Sequence, residues 1–170
     1  GARVERDEES GLSHFNEHMI FKGGGQDFPD AKSVQHALWL LGGQNNGATS
    51  HEFVVYFIAV PAYDLSRAAH LFSDMIGHSA MKPADVELER GVILQEFKSA
   101  FDNHEDFASG KFEKLMFGKT RFGRDCLGTR ETIERFTSDD ILCFKNRFYG
   151  PPNMVITVTG GFDPKDIRNL

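Results

Sequence analysis

The chain has 170 residues, enough for one domain with a core of its own, and its 40% apolar and 26% charged content is that of an ordinary globular protein. A net charge of −6 with no basic stripe excludes a nucleic-acid partner. No apolar run reaches the ~18 residues of a membrane span. Two cysteines, Cys126 and Cys143, form neither a disulfide framework nor a CxxC pair, so they read as reduced, partly buried thiols of a reducing compartment. The sixteen phenylalanines read as core filler.

In chain order, Ser10-Gly11 precedes a helix from Leu12 to Phe21 whose Leu12, Phe15, Met19 and Ile20 supply apolar faces, and Gly23-Gly24-Gly25 stops it. Asp30 caps a second helix through Leu41, with Val34, Leu38 and Leu41 on one side. The β-branched and aromatic run Phe53 to Val60, ended by Pro61, predicts a strand covered on both faces. A helix over Asp64 to His78 follows, with Leu65, Ala69, Phe72 and Ile76 in register. Pro83 opens a long helix to about Phe101, in which Leu88, Val92 and Gln95 repeat. Asp102 to Asp106 reads as a polar junction before helices over Phe107–Met116, Arg130–Phe136 and Ser138–Phe148. Met154 to Thr159 predicts a second strand, closed by Gly160-Gly161. This mixture defines an α and β domain without fixing its topology.

Chemistry concentrates in His14-Phe15-Asn16-Glu17-His18. Residues four apart share a helical face, so two imidazoles can converge on one ion, and Glu17 borders that face without having to be a ligand. This is the inverted order of the His-Glu-x-x-His helix of zinc hydrolases. The same five residues also fit a helix with two solvated or hydrogen-bonded histidines. A catalytic zinc site needs a third protein ligand. Glu96 is the candidate, and Glu89, seven residues earlier and two turns away, shares its face.

The segment Gly11 to Gly23 resembles the active-site helix of the pitrilysin/insulinase family of zinc peptidases, which includes the mitochondrial processing peptidase and bacterial relatives. Asn45-Asn46-Gly47-Ala48-Thr49-Ser50 with the following strand is similar to that family's active-site edge strand, and Glu89 to Glu96 to the segment carrying its third ligand. Leu127 to Ile133, Phe148 to Met154 and Gly160 to Asp163 match later landmarks, in order along nearly the whole chain. The resemblance implies that His14, His18 and Glu96 bind one Zn2+ per chain. It makes Glu17 the general base for a zinc-activated water and Glu89 a supporting carboxylate. It also implies that a peptide adds as a strand beside residues 46–55, touching Asn46, Gly47, Ala48 and Thr49. Asn16 departs from the family's usual leucine, and as a polar residue it must face solvent or find a partner. Gly47 stands where alanine is usual, which would loosen the strand.

The expectation is therefore an α+β metallopeptidase domain of the processing-peptidase type, a mostly antiparallel sheet packed with helices. It spans residues 1–170 as a single, partial domain. Opening on Gly1-Ala2-Arg3 and closing in what reads as a starting helix at Asp166 to Leu170, it is expected to be incomplete at both ends. The resemblance implies leading strands ahead of Gly1 and a second, substrate-closing homologous domain or subunit. The function implied is a zinc-dependent endopeptidase acting on peptides or unfolded segments, in a bacterial cytoplasm or, alternatively, a mitochondrial matrix. The competing functions are a non-catalytic peptide-binding subunit or inactive fragment, and a structural domain with a fortuitous motif. The remaining histidines, His36, His51, His70, His78 and His104, read as surface or packing residues, with His51 closest to the presumed substrate strand. Arg121, Arg124 and Arg130 read either as substrate contacts or as solvated loop residues, the latter preferred, and the triple glycine lacks the Lys-Ser/Thr ending of a phosphate loop.

Overall fold

Helix α1 (Leu12–Ile20) lies at the centre of the computed structural model, which describes residues 1–167, without the side chains of Pro164 and Asp166. Its Leu12, Phe15, Met19 and Ile20 are all buried, and it packs against α4 (Pro83–Asp102), α7 (Ser138–Phe148) and the hairpin strand β1 (Gln44–Thr49). The start of α1 is held from outside the helix. Gly11 precedes it with φ 97° and offers no side chain, so the buried Glu5 carboxylate accepts the N–H groups of Gly11 at 2.9 Å and Ser13 at 2.7 Å. Those donors would otherwise be orphans of the first helical turn. A side chain at residue 11 would also collide with the Leu127 carbonyl, 2.8 Å from the position of its Cβ.

The other helices are α2 (Ala31–Leu41), which packs on α3 (Leu65–His78), α5 (His104–Phe117) and α6 (Arg130–Arg135), which pack on α4, and the short α8 (Pro164–Ile167). Side-chain caps fix four of the starts: Asp30 on Ser33, Asn103 on Glu105 and Asp106, Thr129 on Thr132, Thr137 on Asp140. The Asp102–Asp106 junction is thus a helix end and a new helix start. Arg90 ties α4 to α6 by donating to the carbonyls of Ile133 and Phe136.

Strand β1 pairs antiparallel with β2 (Val54–Ala59), with Gly47 opposite Tyr56 and Thr49 opposite Val54. Burial alternates along both strands, so residues 45, 47 and 49 face inward.

Several expectations are corrected. The described residues hold a two-stranded sheet and are mainly helical, not mostly antiparallel sheet. Met154–Thr159 forms no strand, because a ladder needs a paired neighbour and none stands beside it among the described residues; Val155 and Ile156 are almost fully exposed. Strand β2 is covered on one face only, leaving Val55 and Phe57 exposed. On α4 the inward stripe is Val86, Glu89 and Ile93, while Leu88 and Val92 face out. On α3 the fully buried positions are Ala68, Leu71 and Met75, one residue before the register read from Ala69, Phe72 and Ile76, which are partly buried. Cys126 is partly buried and Cys143 exposed, both as free thiols. The helix expected over Asp166 to Leu170 lies, beyond Ile167, outside the described residues.

Candidate active site

One turn of α1 sets His14 and His18 edge to face, their ring centroids 4.6 Å apart and their Nε2 atoms 3.2 Å apart. Across from them α4 brings Glu96, whose Oε2 lies 3.6 Å from His14 Nε2 and 3.4 Å from His18 Nε2. Among the described residues this is the one trio of His, Cys, Asp or Glu whose donor atoms cluster closely enough to share an ion. The spacing can be tested against zinc chemistry. Donors about 2.0–2.1 Å from a tetrahedral ion stand about 3.3 Å from each other. The three observed separations bracket that value, so the donor set fits a zinc ion.

The supporting contacts are unequal. His18 Nδ1 donates to Glu89 Oε2 at 2.8 Å, and Lys22 pairs with the other oxygen of Glu89. That contact fixes the ring and leaves Nε2 facing the trio, the usual role of an outer partner to a metal-binding imidazole. His14 Nδ1 is buried without a partner. Burial, aided by the charge of His18, lowers the His14 pKa to about 4, so that ring is neutral at pH 7. Burial also works to lower His18, but the bond from Glu89 and the charge of Glu96 outweigh it and raise its pKa. Glu89 is pushed up by burial and held down more strongly by His18 and Lys22, so it stays ionised.

Glu17 sits beside the trio, buried, with its Oε2 accepting a 2.5 Å hydrogen bond from Thr49 Oγ1. Burial raises its pKa, and the Thr49 bond opposes that rise. The inward face of β1 therefore touches Glu17 twice, because the space where a Cβ of Gly47 would stand is 2.8 Å from Glu17 Oε1. An open cleft of about 360 Å³ runs over this ground, bordered by Asn46, Gly47 and all five of the acidic and imidazole side chains just described. Ala48 is on the exposed face of β1.

Sequence reasoning brought His14, Glu17, His18, Glu89 and Glu96 together, and the structure gathers all five. It missed Glu5, Lys22 and the Thr49–Glu17 bond. Of these, only Lys22 carried a local signal, standing four residues after His18 on the same helix face. His51 does not join the site; its ring bonds the Arg124 carbonyl at 3.0 Å. Arg121 and Arg124, read as solvated, instead donate to the carbonyls of Arg3 and Glu5 and pin the segment ahead of α1. Arg130 does make only an exposed pair with Glu134. Asn16 is fully buried; its Nδ2 donates to the Leu12 and Ile141 carbonyls, each at 3.2 Å, while its Oδ1 has no partner.

Two imidazoles from one helix and a carboxylate from another are of the residue types that hold zinc, and a second carboxylate stands alongside. The model of the family described as Insulinase (Peptidase family M16) matches residues 1–130, and the chain belongs to that family. An uncharacterized zinc protease of Rickettsia bellii is 34% identical over 167 residues, which cover 98% of this chain and 40% of that protein. Mitochondrial-processing peptidase subunit beta of Homo sapiens is 31% identical over 174 residues, covering 100% of this chain and 34% of the subunit. The solved structure of the periplasmic protease PqqL from Escherichia coli matches with a TM-score of 0.89 and 27% identity, over 99% of this chain and 19% of that one. The chain thus spans about two fifths, or less, of the length of these relatives. The relatives' names tie the family to proteolysis and to zinc, and they serve in more than one compartment.

Proposed function

We propose that residues 1–170 form the zinc-bearing catalytic domain of an endopeptidase that acts together with a second, substrate-closing domain or subunit. The observation that carries this reading is the meeting of His14, His18 and Glu96 donor atoms within 3.6 Å of one another, beside the buried Glu17 carboxylate. In this reading the trio holds one zinc ion, which when bound polarises a carbonyl and makes water more acidic.

The remaining steps belong to the protein. Glu89, clamped by Lys22, keeps the His18 ring oriented. Glu17 takes a proton from the attacking water and returns it to the amide nitrogen as the C–N bond breaks. Its raised pKa suits both halves of that task, since a base poised nearer neutrality also gives the proton up more readily. The peptide lies along the edge of β1 that β2 leaves free, beside Asn46 to Thr49, as an added strand. Pairing of that kind uses main-chain hydrogen bonds, so it accepts many sequences provided they are extended, as short peptides and unfolded segments are. The presence of all four of His14, Glu17, His18 and Glu96 favours a catalytic over a purely peptide-binding role.

The test is Glu17→Gln in the full-length protein. Turnover of an unstructured peptide is expected to fall by roughly 10²–10⁴-fold, the range ascribed to general acid–base groups. Zinc content should stay near one per chain, whereas His18→Ala should lose the metal. An undiminished rate in Glu17→Gln would reject the assignment of the base, and a metal-free wild-type protein purified without chelator would reject the zinc centre.

A further inference from the structure

Thr49 faces inward from β1, two residues from Gly47 and on the same side of the strand. By family likeness it belongs to a segment that touches substrate. Its hydroxyl, however, has a single proton, and that proton is given to Glu17 Oε2 over 2.5 Å. A hydrogen bond to an ionised carboxylate is among the stronger neutral-donor contacts, and it is made here at the edge of a buried site. At the other oxygen the strand gives way: Gly47 has no side chain, and a Cβ there would stand 2.8 Å from both Cγ and Oε1 of Glu17.

We propose that Thr49 is a positioning residue for Glu17, fixing one carboxylate oxygen so that the other, lying over Gly47, is the oxygen that accepts the proton. The proposal deepens the peptidase reading and rests on it. Its logic is that of an oriented base. A carboxylate on a three-bond side chain can swing, and a swing of about 1 Å at the reacting atom can cost ~10²-fold in rate. Thr49 removes that freedom. While Thr49 donates to Oε2, a proton taken from water adds more readily to Oε1, because that bond occupies one of the two lone-pair sites of Oε2 and lowers its basicity. The strand expected to receive the peptide is then also the strand that aims the base, so the edge and the carboxylate are held by the same six residues.

Three variants of the full-length zinc-loaded protein test this. Thr49→Val keeps the branched shape and the strand preference while deleting the hydroxyl. It is expected to lower kcat by about 10–100-fold, leaving KM and zinc content unchanged. Thr49→Ser restores the donor and should recover most of the loss, and Thr49→Ala, smaller and without a donor, should behave like Thr49→Val if the larger variant does not accumulate. A Thr49→Val enzyme with unaltered kcat would overturn the proposal, as would one whose KM rises while kcat holds, since that marks a substrate contact. Equal losses in Thr49→Ser and Thr49→Val would do so too, pointing to packing and not to the hydroxyl. Glu17→Gln separates the two levels. If it is inactive while Thr49→Val is normal, only the positioning role fails; if Glu17→Gln itself turns over normally, the reading of the base fails and this proposal with it.

Discussion

Asn16 is a residue whose chemistry sits uneasily in its place. It stands on α1 between His14 and His18 in sequence and is fully buried, with an amide nitrogen bonded to two carbonyls, one of them on α7, and an amide oxygen bonded to nothing. Both carbonyls lie inside helices and already receive a backbone N–H from four residues on. Replacing the side chain with an apolar one of similar size therefore strands no partner and removes an unpaired acceptor. Asn16→Leu is expected to stabilise the protein by about 1 kcal/mol, read as a higher urea midpoint at unchanged slope. A lower midpoint would show that the two Nδ2 contacts outweigh the orphaned oxygen. The His14–Glu17–His18 trio was legible from the sequence because helical geometry converts spacing directly into proximity. Asn16 was legible only as a demand for a partner. What answered that demand came from Ile141, 125 residues away, and no local pattern encodes such a meeting.

At the scale of elements, α1 depends on a cap borrowed from outside. The Glu5 carboxylate closes two backbone donors that no residue at the helix start can reach, since Gly11 has no side chain and its φ of 97° favours glycine. Glu5→Ala leaves both donors buried and unpaired and should cost about 2 kcal/mol of stability, with Glu5→Gln, which keeps one acceptor, falling between. Equal stability of Glu5→Ala and wild type by chemical denaturation would show that water replaces the cap. The same scale explains where sequence reading slipped. On α4 the apolar repeat of Leu88 and Val92 competes with the Glu89–Glu96 face, and it is the acidic face that turns inward, because His18, Lys22 and His14 supply its partners. Periodicity counts apolar residues and cannot see that a buried carboxylate has been paid for by a neighbouring helix. The strand expected over Met154–Thr159 failed for the related reason that β propensity describes a residue's fit to a ladder, whereas the ladder needs a second strand.

Across the whole molecule, the segment ahead of α1 is fastened to distant parts of the chain. Arg121 and Arg124 hold the backbone of Arg3 and Glu5, Arg135 donates to the Glu8 carbonyl, and Arg147 on α7 pairs with Glu9 at 2.7 Å. Burial works against the Glu9 carboxylate, but the Arg147 guanidinium and the Arg6 N–H hold its pKa below the ordinary 4.5. A lowered folded-state pKa stabilises the fold above pH 4.5, and that contribution is lost as the pH falls from there through the folded-state value. Arg147→Met should therefore cost about 0.5–1 kcal/mol more at pH 7 than at pH 3, by denaturation at both. An equal cost at both pH values would assign the effect to the stacking of Arg147 on Phe148 instead. This fastening bears on how small a working piece can be made. A truncation starting at Ser10 would retain every side chain assigned to metal or proton transfer, yet it would discard the carboxylate that closes the helix carrying two of them. The shortest functional boundary is therefore set upstream of residue 5, by a group that does not line the cleft.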